Sequence, residues 1–223
     1  MKPLLIVIDG PAGAGKTTVS RELARRLDYT YVDTGAIYRA VAWEILEKEV
    51  DPDDEEALGR LLSGLDLSFE KTSDGARLIS AGTDITDYIR TPQITMLASA
   101  ASAKPVVRRA LLDLQRGLGK QKAAVFEGRD MGTVVFPDAD VKFFLTADLK
   151  VRARRRFEEL KQTNPQNLQE VEQQMRRRDE NDSSRKTAPL KPADDAIMVD
   201  STDKSVDEVV SEMLAGLHAA AGL

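Results

Sequence analysis

The segment Leu4-Leu-Ile-Val-Ile-Asp-Gly-Pro-Ala-Gly-Ala-Gly-Lys-Thr17 restricts this chain more than any other. Its first part, Leu4 to Ile8, is apolar without polar alternation, as in a strand buried on both faces of a parallel sheet. Glycines follow at once. Gly10, Gly15, Lys16 and Thr17 satisfy G-x-x-x-x-G-K-[ST], and Gly13 adds a position where the backbone can turn without a Cβ. Such a loop aims successive N–H groups at phosphate oxygens, and a helix beginning near Lys16 adds roughly half a positive charge at its N-terminus. Lys16 is then expected to reach β- and γ-phosphates, and the Thr17 hydroxyl to hold Mg²⁺. The competing reading is an ordinary glycine-rich turn, but strand, loop and amphipathic helix occur in the order a phosphate site needs.

The rest of the chain continues the strand–helix alternation. Val19, Leu23, Ala24 and Leu27 lie at helical spacing opposite Arg21, Glu22, Arg25 and Arg26, which predicts a helix over Lys16 to Leu27 packed on the sheet. Tyr29 to Val32 reads as a second strand and Ala36 to Lys48 as a second helix, completing one βαβα unit. Asp51-Pro52 predicts a helix start with Asp51 as N-cap, running to about Leu62. The period then changes: Leu65, Leu67 and Phe69 alternate, and Ser73-Asp-Gly75 is a turn signal before Arg77 to Ser80. A small antiparallel hairpin is expected there, within an insertion at about 51–90.

Helices are expected at Thr91 to Ala103, Val106 to Leu118, Leu168 to Asp182 and Val206 to Ala220. Another begins near Leu149, capped from Thr146-Ala-Asp148 and broken at Asn164-Pro165. The remaining strands are expected at Ala123 to Phe126, Val141 to Leu145 and Ala196 to Val199, giving five short apolar core strands without a repeat or an internal linker.

At 223 residues the chain suits one α/β domain with an insertion. It has no cysteine, which argues against disulfides, zinc and thiol chemistry and is consistent with a cytoplasmic setting. The first strand starts too early to leave room for a signal peptide, and no apolar run approaches the ~20 residues of a membrane helix. A net charge of −5 argues against bulk electrostatic binding of nucleic acid, while leaving local basic clusters for small anions.

Three further stretches carry a resemblance. Asp33-Thr-Gly-Ala-Ile-Tyr-Arg39, Gly128-Arg-Asp-Met-Gly-Thr133, and Arg178, Asp182 and Arg185 followed by Ala188-Pro-Leu190 resemble the motifs of the bacterial cytidylate kinases. The likeness runs in order over nearly the whole chain, including the insertion after the second helix. It implies a three-layer P-loop kinase fold: a five-stranded parallel sheet, a small β-containing insertion and a short helical lid. The chain would be a single kinase domain, with its core at 1–50 and 104–223, the nucleoside-monophosphate insertion at about 51–90 and the lid at about 152–168. The implied reaction is transfer of the ATP γ-phosphoryl group, with Mg²⁺, to CMP and also to dCMP. Small nucleotides are then the partners of a cytoplasmic monomer that binds neither nucleic acid nor membrane.

The resemblance also assigns residues, and elementary chemistry supports many of them. The donor would be held by Gly10, Pro11, Ala12, Gly13, Ala14, Gly15, Lys16, Thr17 and Thr18. Bringing two polyanions together calls for positioning and charge neutralisation, hence guanidinium groups. Arg39 and Arg129 carry over as clamps on the acceptor phosphate, with Thr34 and Tyr38 beside Arg39. Cytosine offers acceptors at O2 and N3 and a donor at N4; Arg108, Ser99 and Asp130 supply the complement and match the family's base-binding residues. Ser99 could equally be a small packing residue, and Arg108, beside Arg109, a solvated one. Arg178 and Asp182 would meet the ribose hydroxyls and Arg185 the phosphates; their i, i+4, i+7 spacing shares one helical face if the helix continues that far. An Arg–Asp surface pair is the bland alternative.

Arg152, Arg154, Arg155 and Arg156 form a second basic group in the expected lid, where Arg152, Arg155 and Arg156 match the family pattern as transition-state arginines. Asp33 either holds waters on Mg²⁺ or caps the following helix. His218 is expected on the surface of the last helix. Two other classes compete with the kinase reading. A regulatory GTPase would carry N-K-x-D, which is absent, and a nucleic-acid binder would interleave aromatics with its basic residues, which this chain does not. Among kinases, the runner-up acts on UMP or a non-nucleotide acceptor.

Overall fold

In a computed structural model, residues 2–72, 75–161 and 166–221 are described. The expected turn residues Ser73 and Asp74 and the expected helix break at Asn164-Pro165 lie outside them. The elements follow the βα alternation: β1 (Leu5–Asp9), α1 (Lys16–Leu27), β2 (Thr30–Asp33), α2 (Thr34–Glu47), α3 (Glu55–Ser63), β3 (Leu67–Thr72), β4 (Gly75–Ser80) and β5 (Thr83–Asp84). After a 3₁₀ turn at Tyr88–Arg90 come α4 (Pro92–Ala101), α5 (Pro105–Gly119), β6 (Ala124–Gly128), a π-helical turn at Met131–Val135 and β7 (Val141–Thr146). The chain ends with α6 (Leu149–Leu160), α7 (Leu168–Ser184), β8 (Ile197–Asp200) and α8 (Val206–Ala221).

Five strands form a parallel sheet in the order β2-β6-β1-β7-β8. β1 lies at its centre, paired with β6 through Val7↔Phe126 and with β7 through Ile8↔Phe143. This position explains its unbroken apolar run: all five of its residues are buried. Ile6 and Ile8 pack with Val125, Phe143 and Leu145 against Val19 and Leu23 of α1 and Val210, Met213 and Leu217 of α8. Val7 faces the other way, where Gly132 of the π turn approaches it closely. Phe126 of β6 meets Phe136 edge-on, with ring centroids 4.7 Å apart, and fixes the far end of that turn.

The chain divides into two compact units, one of the described residues up to Val32 and from Gln121 onward, the other Asp33–Lys120. The second is wider than the 51–90 segment expected from the change in period. The reason is a core of its own: Ile37, Val41 and Ile45 of α2, Leu58 and Leu62 of α3, Leu78 of β4, Ile94 of α4 and Leu111 of α5 are all buried together. Its three strands form the expected antiparallel hairpin, β3 with β4, extended by β5. The start of α3 differs from expectation. Asp54, not Asp51, is the N-cap and accepts from the N–H groups of Glu56 and Ala57, both at 3.0 Å. Asp51 closes a turn by accepting from Asp53 N at 2.9 Å. Glu55 and Glu56 then sit on the positive end of the helix, which favours the later start.

Candidate active site

The phosphate loop is shaped by close approach. At Gly10, φ is +151°, and a Cβ there would lie 2.0 Å from the Leu145 carbonyl oxygen of β7, so only glycine lets the chain leave β1 beside β7. At Gly13, φ is +73°, and a Cβ would meet Met175 Cε at 2.7 Å and Arg152 Cβ at 3.1 Å, because α6 and α7 pack against the loop. Gly15 is the N-cap of α1 and has no side chain to bond the first-turn N–H groups. Those donors and the helix's positive end are therefore offered to an anion.

Lys16 is buried, and its Nζ donates to the Pro11 carbonyl at 2.7 Å, folding the side chain back across the loop. Burial holds its pKa well below the ordinary lysine value; the positive charges of Arg129 and Arg178 push the same way, while Glu127 and Asp9 oppose them. Four charged side chains from β1, β6 with its following residue, and α7 thus act on Lys16 of α1 at the C-terminal edge of the sheet, where open α/β sheets take ligands.

Glu127 and Asp9 were not among the expected site residues. The carboxylate of Glu127 accepts from the Thr17 hydroxyl at 2.8 Å and also from the Tyr31 hydroxyl. Asp9 accepts from Met131 N at 2.9 Å and Gly132 N at 2.8 Å. A signal for both was present in the sequence: each is a carboxylate ending an apolar strand, β1 or β6, and these two strands are neighbours in the sheet.

Thr17 with Glu127 suits Mg²⁺, a cation that keeps several waters and needs only one or two protein groups beside the substrate phosphates. No cluster of three or more His, Cys, Asp or Glu that could hold a metal occurs among the described residues. Asp33, expected as a second metal residue, has both oxygens engaged in its own unit: Oδ1 accepts from Ala36 N at 3.0 Å as the N-cap of α2, and Oδ2 from Arg39 at 2.7 Å.

Asp182 is the hub for the arginines beyond the loop. It is buried, and it accepts from Arg129 Nε at 3.3 Å while Arg185 Nη2 stands 3.6 Å from its other oxygen. Arg185 Nε donates to the Asp182 carbonyl at 3.2 Å. The helix does not continue to Arg185. α7 ends at Ser184, and Arg185, at φ −55° and ψ 134°, returns to the cluster as the cap residue. Arg178 belongs to the same group through its effect on Lys16.

The expected lid arginines are placed differently from one another. Arg152 is buried, donating from Nε to Ala147 O at 2.9 Å and from Nη1 to Ala12 O at 3.0 Å, with Asp179 at 2.7 Å. Arg155 holds the turn after β8, donating to Ser201 O at 2.7 Å and Ser201 Oγ at 3.1 Å. Ser201 Oγ in turn donates to Ala14 O at 2.9 Å, a contact with the phosphate loop that sequence reasoning did not foresee. Arg156 is more open and pairs with Glu159 at 2.9 Å.

In the Asp33–Lys120 unit, Arg39 pairs with Asp33, and the Arg108 guanidinium lies 5.7 Å from the centroid of the Tyr38 ring. Arg108 Nη1 also donates to Ser102 O at 3.2 Å, and Ser102 Oγ donates to Ser99 O at 2.8 Å. Tyr38, Ser99 and Arg108 are thereby linked across α2, α4 and α5. Thr34 is buried in the first turn of α2. Asp130 belongs to the other unit, where it is buried at the head of the π turn.

Known proteins align with this chain over almost its whole length. The sequence profile described as cytidylate kinase matches residues 6–219. The cytidylate kinase of Geobacter sulfurreducens is 47% identical over 211 residues, covering 94% of this chain and 91% of that protein. Its counterpart in Pseudomonas aeruginosa is 48% identical over 213 residues, covering 94% and 93%. Among solved structures, a shikimate kinase from Acinetobacter baumannii superposes with a TM-score of 0.51 at 15% identity, covering 98% of this chain and 94% of that one, a likeness of fold alone. Agreement at this identity, sustained from the first strand to the last helix, leaves one conclusion: the chain belongs to the cytidylate kinase family.

Proposed function

We propose that the protein transfers the γ-phosphoryl group of ATP to CMP, giving CDP and ADP, and accepts dCMP as a second substrate. The observation that carries this reading is the charge cluster in which Lys16 of the donor loop feels Arg129 and Arg178, so that cations suited to two phosphate groups share one site. The loop N–H groups and the first turn of α1 bind the donor phosphates, and Lys16 turns from Pro11 O to the γ-phosphate as it binds. Arg129, steered by Asp182, orients the acceptor phosphate, with Arg39 and Arg178 as further clamps. An attacking phosphate oxygen needs no added base, and exposed His218 supplies none. The Thr17 hydroxyl and the Glu127 carboxylate would hold Mg²⁺, which would supply charge neutralisation on the donor phosphates.

Ser99, Arg108 and Asp130 select cytosine by donors to O2 and N3 and an acceptor for N4, with Arg108 kept in place by the Tyr38 ring. Such a set discriminates against uracil by ~10² or more, since uracil leaves its groups mispaired. The lid arginine that meets the transferred group is Arg156, because Arg152 and Arg155 are committed to backbone carbonyls of their own unit. The protein works as a cytoplasmic monomer. An ADP-release assay across CMP, dCMP, UMP, AMP and dTMP tests the reading. CMP and dCMP should turn over fastest and UMP at least ~10²-fold less efficiently; comparable rates with AMP or dTMP would refute the base selection.

A further inference from the structure

Asp9 is buried at the end of β1, immediately before the loop. Its two oxygens separately accept the N–H groups of Met131 and Gly132, the first two residues of the π turn. This is what an N-cap does, but the residue at the N-cap position is Asp130, whose side chain makes no capping hydrogen bond. The cap is supplied instead from the neighbouring strand, since Asp9 pairs with Gly128 across β1 and β6. Arg129 and Asp130 are therefore held between two fixed points: the sheet register at Gly128 and the carboxylate of Asp9 at Met131 and Gly132. Gly132 tightens the second point, because a Cβ there would sit 3.2 Å from Lys142 Cδ and 3.4 Å from Val7 Cγ2.

We infer that Asp9 is a positioning residue for acceptor recognition, capping the π turn in trans so that Asp130 is spared that duty and the Arg129–Asp130 pair is set at a fixed distance from the donor loop. The inference rests on the CMP kinase reading of the same site. It separates Asp9 from the loop residues around it: though it adjoins Gly10, its effect should fall on CMP rather than on ATP. The charged groups facing it are Lys16 and Asp130, and burial with the Asp130 charge raises its pKa to about 6 against the help of the two N–H groups and Lys16. Lys142, whose stem packs on Gly132, directs its ammonium away to Pro137 O and Asp195. A protonated Asp9 keeps only one good acceptor oxygen, so the cap should weaken in mild acid.

The test compares wild type with Asp9→Asn, in which one acceptor becomes an N–H donor facing an N–H. KM for CMP should rise ~10-fold or more while KM for ATP moves less than ~3-fold, and the preference for CMP over UMP should fall, the scale of losses seen for residues that orient others. As pH falls through about 6, KM for CMP should rise more steeply in wild type than in the variant, where only the phosphate of CMP itself still titrates. Amide exchange at Met131 and Gly132 should quicken in the variant. Parallel changes in both KM values, or a loss of thermal stability with kinetics unchanged, would overturn the inference. Should Asp9→Asn fail to fold, a wild-type KM for CMP that rises in acid no more than ionisation of the CMP phosphate accounts for overturns it alone. A wild type inactive with CMP sinks both readings, whereas an active one with an indifferent variant sinks only this one.

Discussion

Burial and two guanidinium groups oppose the charge on Lys16, a penalty that an arriving anion would relieve. Its replacement therefore separates function from stability. Lys16→Met should reduce kcat by ~10² or more, as loss of a preorganised transition-state contact does. It should leave the melting temperature unchanged or higher, because a lysine whose pKa is depressed by folding is a net burden to the folded state below that pKa. A calorimetric scan beside the ADP-release assay checks both halves. Glu127→Gln should instead raise the Mg²⁺ concentration for half-maximal activity ~10-fold or more, read by a Mg²⁺ titration at saturating ATP. The phosphate loop was legible from spacing alone because its geometry is local. Glu127, Asp9 and Ser201 were not, because their partners lie 110, 122 and 187 residues away along the chain.

At the scale of elements, the three central strands β1, β6 and β7 were the most legible part, since burial on both faces leaves an apolar run of the right length bounded by turns. The π turn at Met131–Val135 was missed because five residues with a Gly-Thr step show no helical period, and its stability comes from Asp9 in another strand. The late start of α3 was missed because two aspartates compete for the cap, and sequence does not say which side chain is already spent on a turn. α7 is the element on which the site most depends, as it carries Met175 against Gly13, Asp179 against Arg152, and Asp182. Its first turn is closed by a reciprocal capping box between Asn167 and Glu170. Asn167→Ala should cost about 1 kcal/mol in urea unfolding. Gly10→Ala should be far worse, because its Cβ would strike the backbone of β7 rather than a side chain that can move; insoluble expression or a large drop in melting temperature is the expected readout.

For the whole molecule, periodicity located the helices but did not say which would share a core. That is why α2, α4 and α5 were not grouped with the hairpin and α3, although they bury Ile37, Ile94 and Leu111 with Leu58 and Leu78. A global consequence follows from Asp9. Its folded pKa, raised from 3.8 to about 6, means the contribution of this group to stability is complete below about pH 4 and is lost as pH rises through about 6. The change amounts to ~3 kcal/mol. The stability of wild type relative to Asp9→Asn should therefore improve by up to that amount between pH 7 and pH 4. Urea unfolding of both proteins at a series of pH values measures it, with the acid sensitivity of groups not coupled to Asp9 cancelling in the difference.

The grip of Arg152 and Arg155 makes α6 a brace for the loop between β1 and α1. One guanidinium reaches across to Ala12 and Asp179, and the other closes on the Ser201 turn that itself holds Ala14. The first half of α6 is thus tied to the loop between β1 and α1, and to the turn that holds it, at two points one turn apart. Arg156, paired with Glu159 on its own helix, takes no part in that brace.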